Sequence, residues 1–153
     1  MKRIESFCVN HLKLRQGLYL SRADGDAITY DLRMVVPNAG TYLENDGIHT
    51  FEHLLATYLR NTEYSDRVIY VGPMGCRTGF YLIFRDSVSK EEVISLTQQA
   101  MDFIAGYEGE IPGSTEIECG NYREHSLEKA RRYAAEMQGF LSGWTPEKMR
   151  YEQ

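Results

Sequence analysis

The chain has 153 residues, 42% of them hydrophobic and 25% charged, with a formal net charge of −5. That length suits one domain spanning residues 1–153, and the acidic balance excludes nucleic acid as the main partner, because phosphate binding needs a basic face. No apolar run approaches the roughly 18 residues of a membrane span. The start "MKRIESFCVNH" carries no apolar signal stretch, and Cys8, Cys76 and Cys119 are too few and too odd for a disulfide framework, so a cytoplasmic setting is expected.

The segment "DAITYDLRMVVP" alternates: Ile28, Tyr30, Leu32, Met34 and Val36 point one way, Thr29, Asp31 and Arg33 the other. That predicts a half-buried strand stopped by Pro37. "TYLENDG" supplies turn and cap chemistry, and a helix is expected from about Gly47 to Asn61. "RVIYVG" and "TGFYLIF" read as two strands joined by the turn "GPMGC". A second helix begins at Ser89, whose spacing to Glu92 makes a capping box; Val93, Leu96, Ala100, Phe103, Ile104 and Tyr107 form its apolar stripe. "EGEIPGSTEIECGN" is a loop, with a short extended piece expected near Cys119. A third helix carries Leu127, Ala130, Ala134, Met137 and Leu141 on one face, and "TPEK" starts a short last helix with Thr145 as cap and Pro146 in its first turn. Strands, helix, hairpin, helix, helix is the order of an α+β fold: an antiparallel sheet of about four to five strands with helices packed on one face.

The chemistry concentrates in "GIHTFEHLLATYL". Residues four apart on a helix share a face, so His49 and His53 can aim both imidazoles at one atom, with Glu52 at the edge of that face. This is the inverted zinc-peptidase spacing H-x-x-E-H. A catalytic metal needs a third ligand and an open position. His11, His125, the cysteines and several acids are candidates; Cys119, backed by Gly120 in a loop, can bend toward a helix. A His/His/Cys set suits zinc or ferrous iron rather than magnesium or calcium. "GPMGCRTG" is the second unusual stretch: Gly72, Gly75 and Gly79 permit tight turns and close approach, and Cys76 stands beside Arg77, a cation that would favour thiolate. A metallopeptidase has no use for such a thiol, whereas metal, thiol and carboxylate together suit repeated proton transfers on a carbon acid.

With these residues in view, the chain resembles S-ribosylhomocysteine lyase, the bacterial enzyme family of autoinducer-2 synthesis. "ESF" with His11, "DLR…PN" at 31–38, "IHTFEHLLA" at 48–56, "PMGCRTGFYL" at 73–82, "EIP" at 110–112, "CGN" at 119–121 and "HSLEKA" at 125–130 fall in the family's order. The resemblance implies that His49, His53 and Cys119 bind one divalent metal per subunit, with water as fourth ligand. It implies Fe(II) as that metal, with Zn(II) or Co(II) as substitutes. It implies Cys76 and Glu52 as the acid–base pair, and Ser6, His11 and Arg33 as substrate contacts. It also implies a homodimer whose two active sites lie at the interface. Two positions depart from the family pattern: Tyr70 and Asn10 stand where acidic residues are expected. His125 is read as structural, near a helix N-terminus. Two other readings compete. A small peptidase of the inverted-motif class would dispense with Cys76, and a structural metal site would fill all four positions with protein ligands.

Overall fold

The computed structural model describes all 153 residues. Four strands, β1 (Gly17–Asp24), β2 (Ala27–Arg33), β3 (Val68–Pro73) and β4 (Gly79–Arg85), alternate with three helices, α1 (Asn45–Leu59), α2 (Lys90–Ala105) and α3 (Leu127–Leu141). The sheet order is β1-β2-β4-β3, and every neighbouring pair is antiparallel. The fold is the expected α+β arrangement.

Register decides what each sheet face carries. Ile28, Tyr30 and Leu32 lie opposite Phe84, Leu82 and Phe80, and this face joins Phe51, Leu54 and Leu55 of α1 in the core. Thr29, Asp31 and Arg33 lie opposite Ile83, Tyr81 and Gly79 on the other face. α1 packs on β3, and α2 and α3 pack on each other and on α1, so the helices share the first face. The capping box at α2 is formed: Ser89 accepts from the Glu92 amide, and Glu92 accepts from the Ser89 amide.

Several boundaries depart from the sequence pattern for identifiable reasons. β1 escapes the alternation test because Leu18 and Tyr19 are both buried on opposite faces. Leu18 enters the core, while Tyr19 stacks on Tyr151 at 5.3 Å and meets Trp144 edge-on. β2 stops at Arg33 rather than at Pro37, because the amides of Met34 and Val35 both turn to the Thr78 carbonyl. Asp31 and Arg33, expected on a polar face, are 1% and 3% exposed. The piece near Cys119 is a turn, not extended chain: the amides of Glu118 and Cys119 both donate to the Thr115 carbonyl. Pro146–Met149 is a 3-10 turn preceded by Thr145, whose side chain makes no capping bond.

Candidate active site

α1 carries His49 and His53 one turn apart, with ring centroids 4.6 Å apart and planes at 88°. His49 Nδ1 lies 2.7 Å from the Glu124 carbonyl, and His53 Nδ1 lies 2.8 Å from the Pro112 carbonyl. A carbonyl only accepts, so each Nδ1 carries the proton and each Nε2 keeps a bare lone pair. This outer hydrogen bond is how metal-binding imidazoles are oriented. The loop that supplies Pro112 comes close because of Gly113, at φ 70°, where a Cβ would sit 3.2 Å from His53 Nδ1. Cys119 Sγ lies 3.3 Å from His49 Nε2. His49, His53, Cys119 and His125 each bring a ligand atom within 4.8 Å of the others. Two imidazoles and a thiol fit a borderline divalent ion. Glu52 lies between the two histidines on α1 and is half-buried.

His125 was expected to be structural, but it stands inside this cluster. Ser126 behind it is the N-cap of α3. The His125 ring stacks on His49 at 3.9 Å and 20°, and its Nδ1 lies 2.9 Å from Thr50 Oγ1. Burial first, then the proximity of His49 and His53, whose protonation would repel a further charge, push its pKa down to about 4, which leaves the ring neutral. Its sequence signals are its residue type, which made it one of several third-ligand candidates, and its place at the head of "HSLEKA" just before the α3 cap.

A second group forms on the helix-free face of the sheet. Arg33 donates from Nε and Nη2 to the two Asp31 oxygens at 3.1 and 2.7 Å, and from Nη1 to Thr78 Oγ1 at 2.6 Å. Tyr151 donates to Asp31 at 2.7 Å. Burial opposes the Arg33 charge, but the Asp31 carboxylate more than offsets it, so the net shift is upward and the guanidinium stays charged. Thr78 Oγ1 also lies 3.0 Å from Cys76 Sγ. A guanidinium only donates, so Thr78 accepts from Arg33, which leaves its own hydroxyl proton available to a Cys76 thiolate. The cation linked to this thiol by hydrogen bonds is therefore Arg33, through Thr78. Arg77, adjacent in sequence, instead adopts φ 60° and turns to the Leu43 carbonyl. Thr78, at 2% exposure, is the member of this group that sequence reasoning missed; its only signal is membership of "GCRTG".

Cys76 opens onto a cavity of about 360 Å³ lined also by Ser6, His11, Arg33, Gly75 and Tyr81. This gathers four expected site residues, Ser6, His11, Arg33 and Cys76. None of the lining residues belongs to the His/Cys cluster. One chain thus brings the expected site residues together as two groups, one among the helices and one on the opposite sheet face.

Residues 4–146 match the family model of S-ribosylhomocysteinase (LuxS). The chain is 46% identical over 138 aligned residues to the S-ribosylhomocysteine lyase of Finegoldia magna, covering 88% of each chain. It is 40% identical over 156 aligned positions to that of Clostridium acetobutylicum, covering 99% of each. To that of Phocaeicola vulgatus it is 44% identical over 136 residues, covering 86% of this chain and 84% of the relative.

Proposed function

The chain belongs to the S-ribosylhomocysteine lyase family, and on that footing we propose that it cleaves S-ribosylhomocysteine to homocysteine and 4,5-dihydroxy-2,3-pentanedione, the autoinducer-2 precursor. Residues 1–153 act as one domain and work as a homodimer. The observation that carries this reading is the pairing of a His49–His53–Cys119 donor set, its free Nε2 atoms already oriented, with a Cys76 thiol hydrogen-bonded by Thr78. A peptidase would need only the first of these.

The chemistry explains why both are present. The ribose C5 is bonded to sulfur, and a thioether leaves readily only by β-elimination from a carbonyl two carbons away. The aldehyde at C1 is too distant, so the carbonyl moves to C2 and then to C3. Each shift takes a proton from one carbon and returns one to its neighbour. Cys76 carries the first shift; its thiolate, hydrogen-bonded by Thr78 beside the Arg33 charge, takes the C2 proton and returns it to C1. Glu52 serves the later steps: it moves the C3 proton to C2, then takes the C4 proton as the C5–S bond breaks and homocysteine thiolate departs. A divalent ion held by His49, His53 and Cys119, ferrous iron first and zinc or cobalt as substitutes, would polarise the sugar carbonyl when bound. Ser6, His11 and Arg33 line the cavity where the sugar would sit.

The separation of the two groups supports the dimer. The Cys76 cavity of one copy, set against the histidine cluster of another, would make a complete site. The direct test loads the protein anaerobically with ferrous iron, adds S-ribosylhomocysteine and follows free homocysteine with a thiol reagent. Release that requires both metal and Cys76 supports the reading. No release from folded, iron-loaded protein overturns it.

A further inference from the structure

Thr50 follows His49 on α1 and is fully buried. Its Oγ1 accepts the Ser126 amide at 2.9 Å, so its own proton needs an acceptor, and its other partner is His125 Nδ1 at 2.9 Å. A buried hydroxyl proton left unpaired is costly. Thr50 therefore donates to His125 Nδ1, and a neutral His125 carries its proton on Nε2. This is the opposite tautomer to His49 and His53, whose Nδ1 protons go to carbonyls.

Ring geometry points the same way. A ligating imidazole holds its ion in the ring plane at about 2.1 Å. His49 and His125 are stacked 3.9 Å apart at 20°, so an ion in the plane of one lies well out of the plane of the other. His49 and His53, at 88°, have no such conflict. His125 Nε2 is nonetheless a buried atom without any hydrogen-bond partner, Cys119 sulfur included. A buried donor at the centre of a ligand cluster calls for an acceptor that the protein does not supply.

We propose that Thr50 locks His125 as the Nε2–H tautomer, and that His125 stays off the metal and donates to the oxygen, from water or from the substrate sugar, that occupies the open side of the His49–His53–Cys119 site. The acceptor rests on the metal-site reading above; the tautomer does not. His125 is then a hydrogen-bond donor to developing negative charge on a sugar oxygen, not a fourth ligand.

Imidazole-¹⁵N-labelled protein, metal-free and loaded with zinc or with ¹¹³Cd, tests this by long-range ¹H–¹⁵N correlation. The expected result is a proton on His125 Nε2 in all three forms and cadmium coupling to nitrogens of His49 and His53 alone. Thr50→Val should mix the His125 tautomers while those two couplings persist. Coupling of cadmium to His125, or a His125 proton fixed on Nδ1, overturns the proposal. Coupling to no histidine, with the Nε2 proton retained, overturns the metal-site reading and with it the proposed acceptor. In turnover, His125→Leu should lower kcat about 100-fold with metal affinity unchanged, and His125→Gln, which keeps an amide N–H near the Nε2 position, should recover most of that loss. Equal kcat in both variants overturns the donor role.

Discussion

The histidine cluster and the Cys76 cavity orient their reactive atoms by different means. In the cluster, loop carbonyls do the orienting: Glu124 and Pro112, 75 and 59 residues away in sequence, fix the two Nδ1 protons. Around Cys76 the orienting groups are side chains set by sheet register, because β2 pairs with β4 and brings Arg33 opposite Gly79, next to Thr78. Gly79 is needed there, since a side chain would strike the Leu32 carbonyl. A site built on loop carbonyls depends on where a long segment lies; one built on register depends first on the sheet, with Tyr151 of the C-terminal segment bracing it through Asp31. The two groups should therefore fail separately.

The largest effects test that separation. His53→Ala and Cys76→Ala should each lower homocysteine release at least about 1000-fold. Metal analysis should show the ion lost only from the first. An exchanged equal mixture of the two inactive variants should regain about a quarter of wild-type activity, because half the dimers then hold one intact site. No recovery, with subunit exchange demonstrated, would mean that the sites are not shared.

Thr78→Val comes next. It removes the hydroxyl between Arg33 and the sulfur, and iodoacetamide alkylation of Cys76 at neutral pH should slow about tenfold, the worth of one such hydrogen bond. Metal content should not change, and Thr78→Ser should restore the rate. Tyr151→Phe reaches the same group through Asp31. It deprives a buried carboxylate of one donor and should cost about 1 kcal/mol, a fall of about 2–4 °C in Tm.

The smallest effect lies at the start of α1, where Lys129 pairs with Asp46 at 2.9 Å and with Glu44. The hydrogen bond from Lys129 holds the Asp46 carboxyl below its ordinary 3.8. A depressed carboxyl stabilises the fold above its unfolded value and loses that contribution as pH falls through the lower folded value. Asp46→Asn should therefore lower Tm slightly at pH 7, and the difference from the parent should shrink as pH falls below 3.8, measured by thermal melts. A Tm difference as large at pH 2 as at pH 7 would remove the ion pair as its cause.

Local signals were legible wherever one segment decides the outcome. Ser89 and Glu92 specify their capping box between themselves. His49 and His53 share a face because a helix turns every 3.6 residues. β1 was not legible, because Tyr19 is covered by Tyr151 and Trp144 from the far end of the chain. The family motifs single out Cys76, but the cation next to it in sequence is not the one its hydrogen-bond network reaches. The turn at Arg77 swings that side chain to Leu43, while pairing across β2 and β4 brings in Arg33 through Thr78.

The sequence by itself determined the helix face with two imidazoles, the capping box of α2, the alternating strand β2 and the motif set that places the chain in its family. Those depend on period and spacing, which are properties of one stretch of chain. Only the tertiary structure decided which nitrogen of each imidazole is free, that His125 joins the cluster, that Asp31 and Arg33 are buried, and that Cys76 and the histidines lie on opposite sides of one sheet. Each of those depends on a partner from a distant segment, and hydrogen bonds between distant segments exist only once packing has brought their donors and acceptors together.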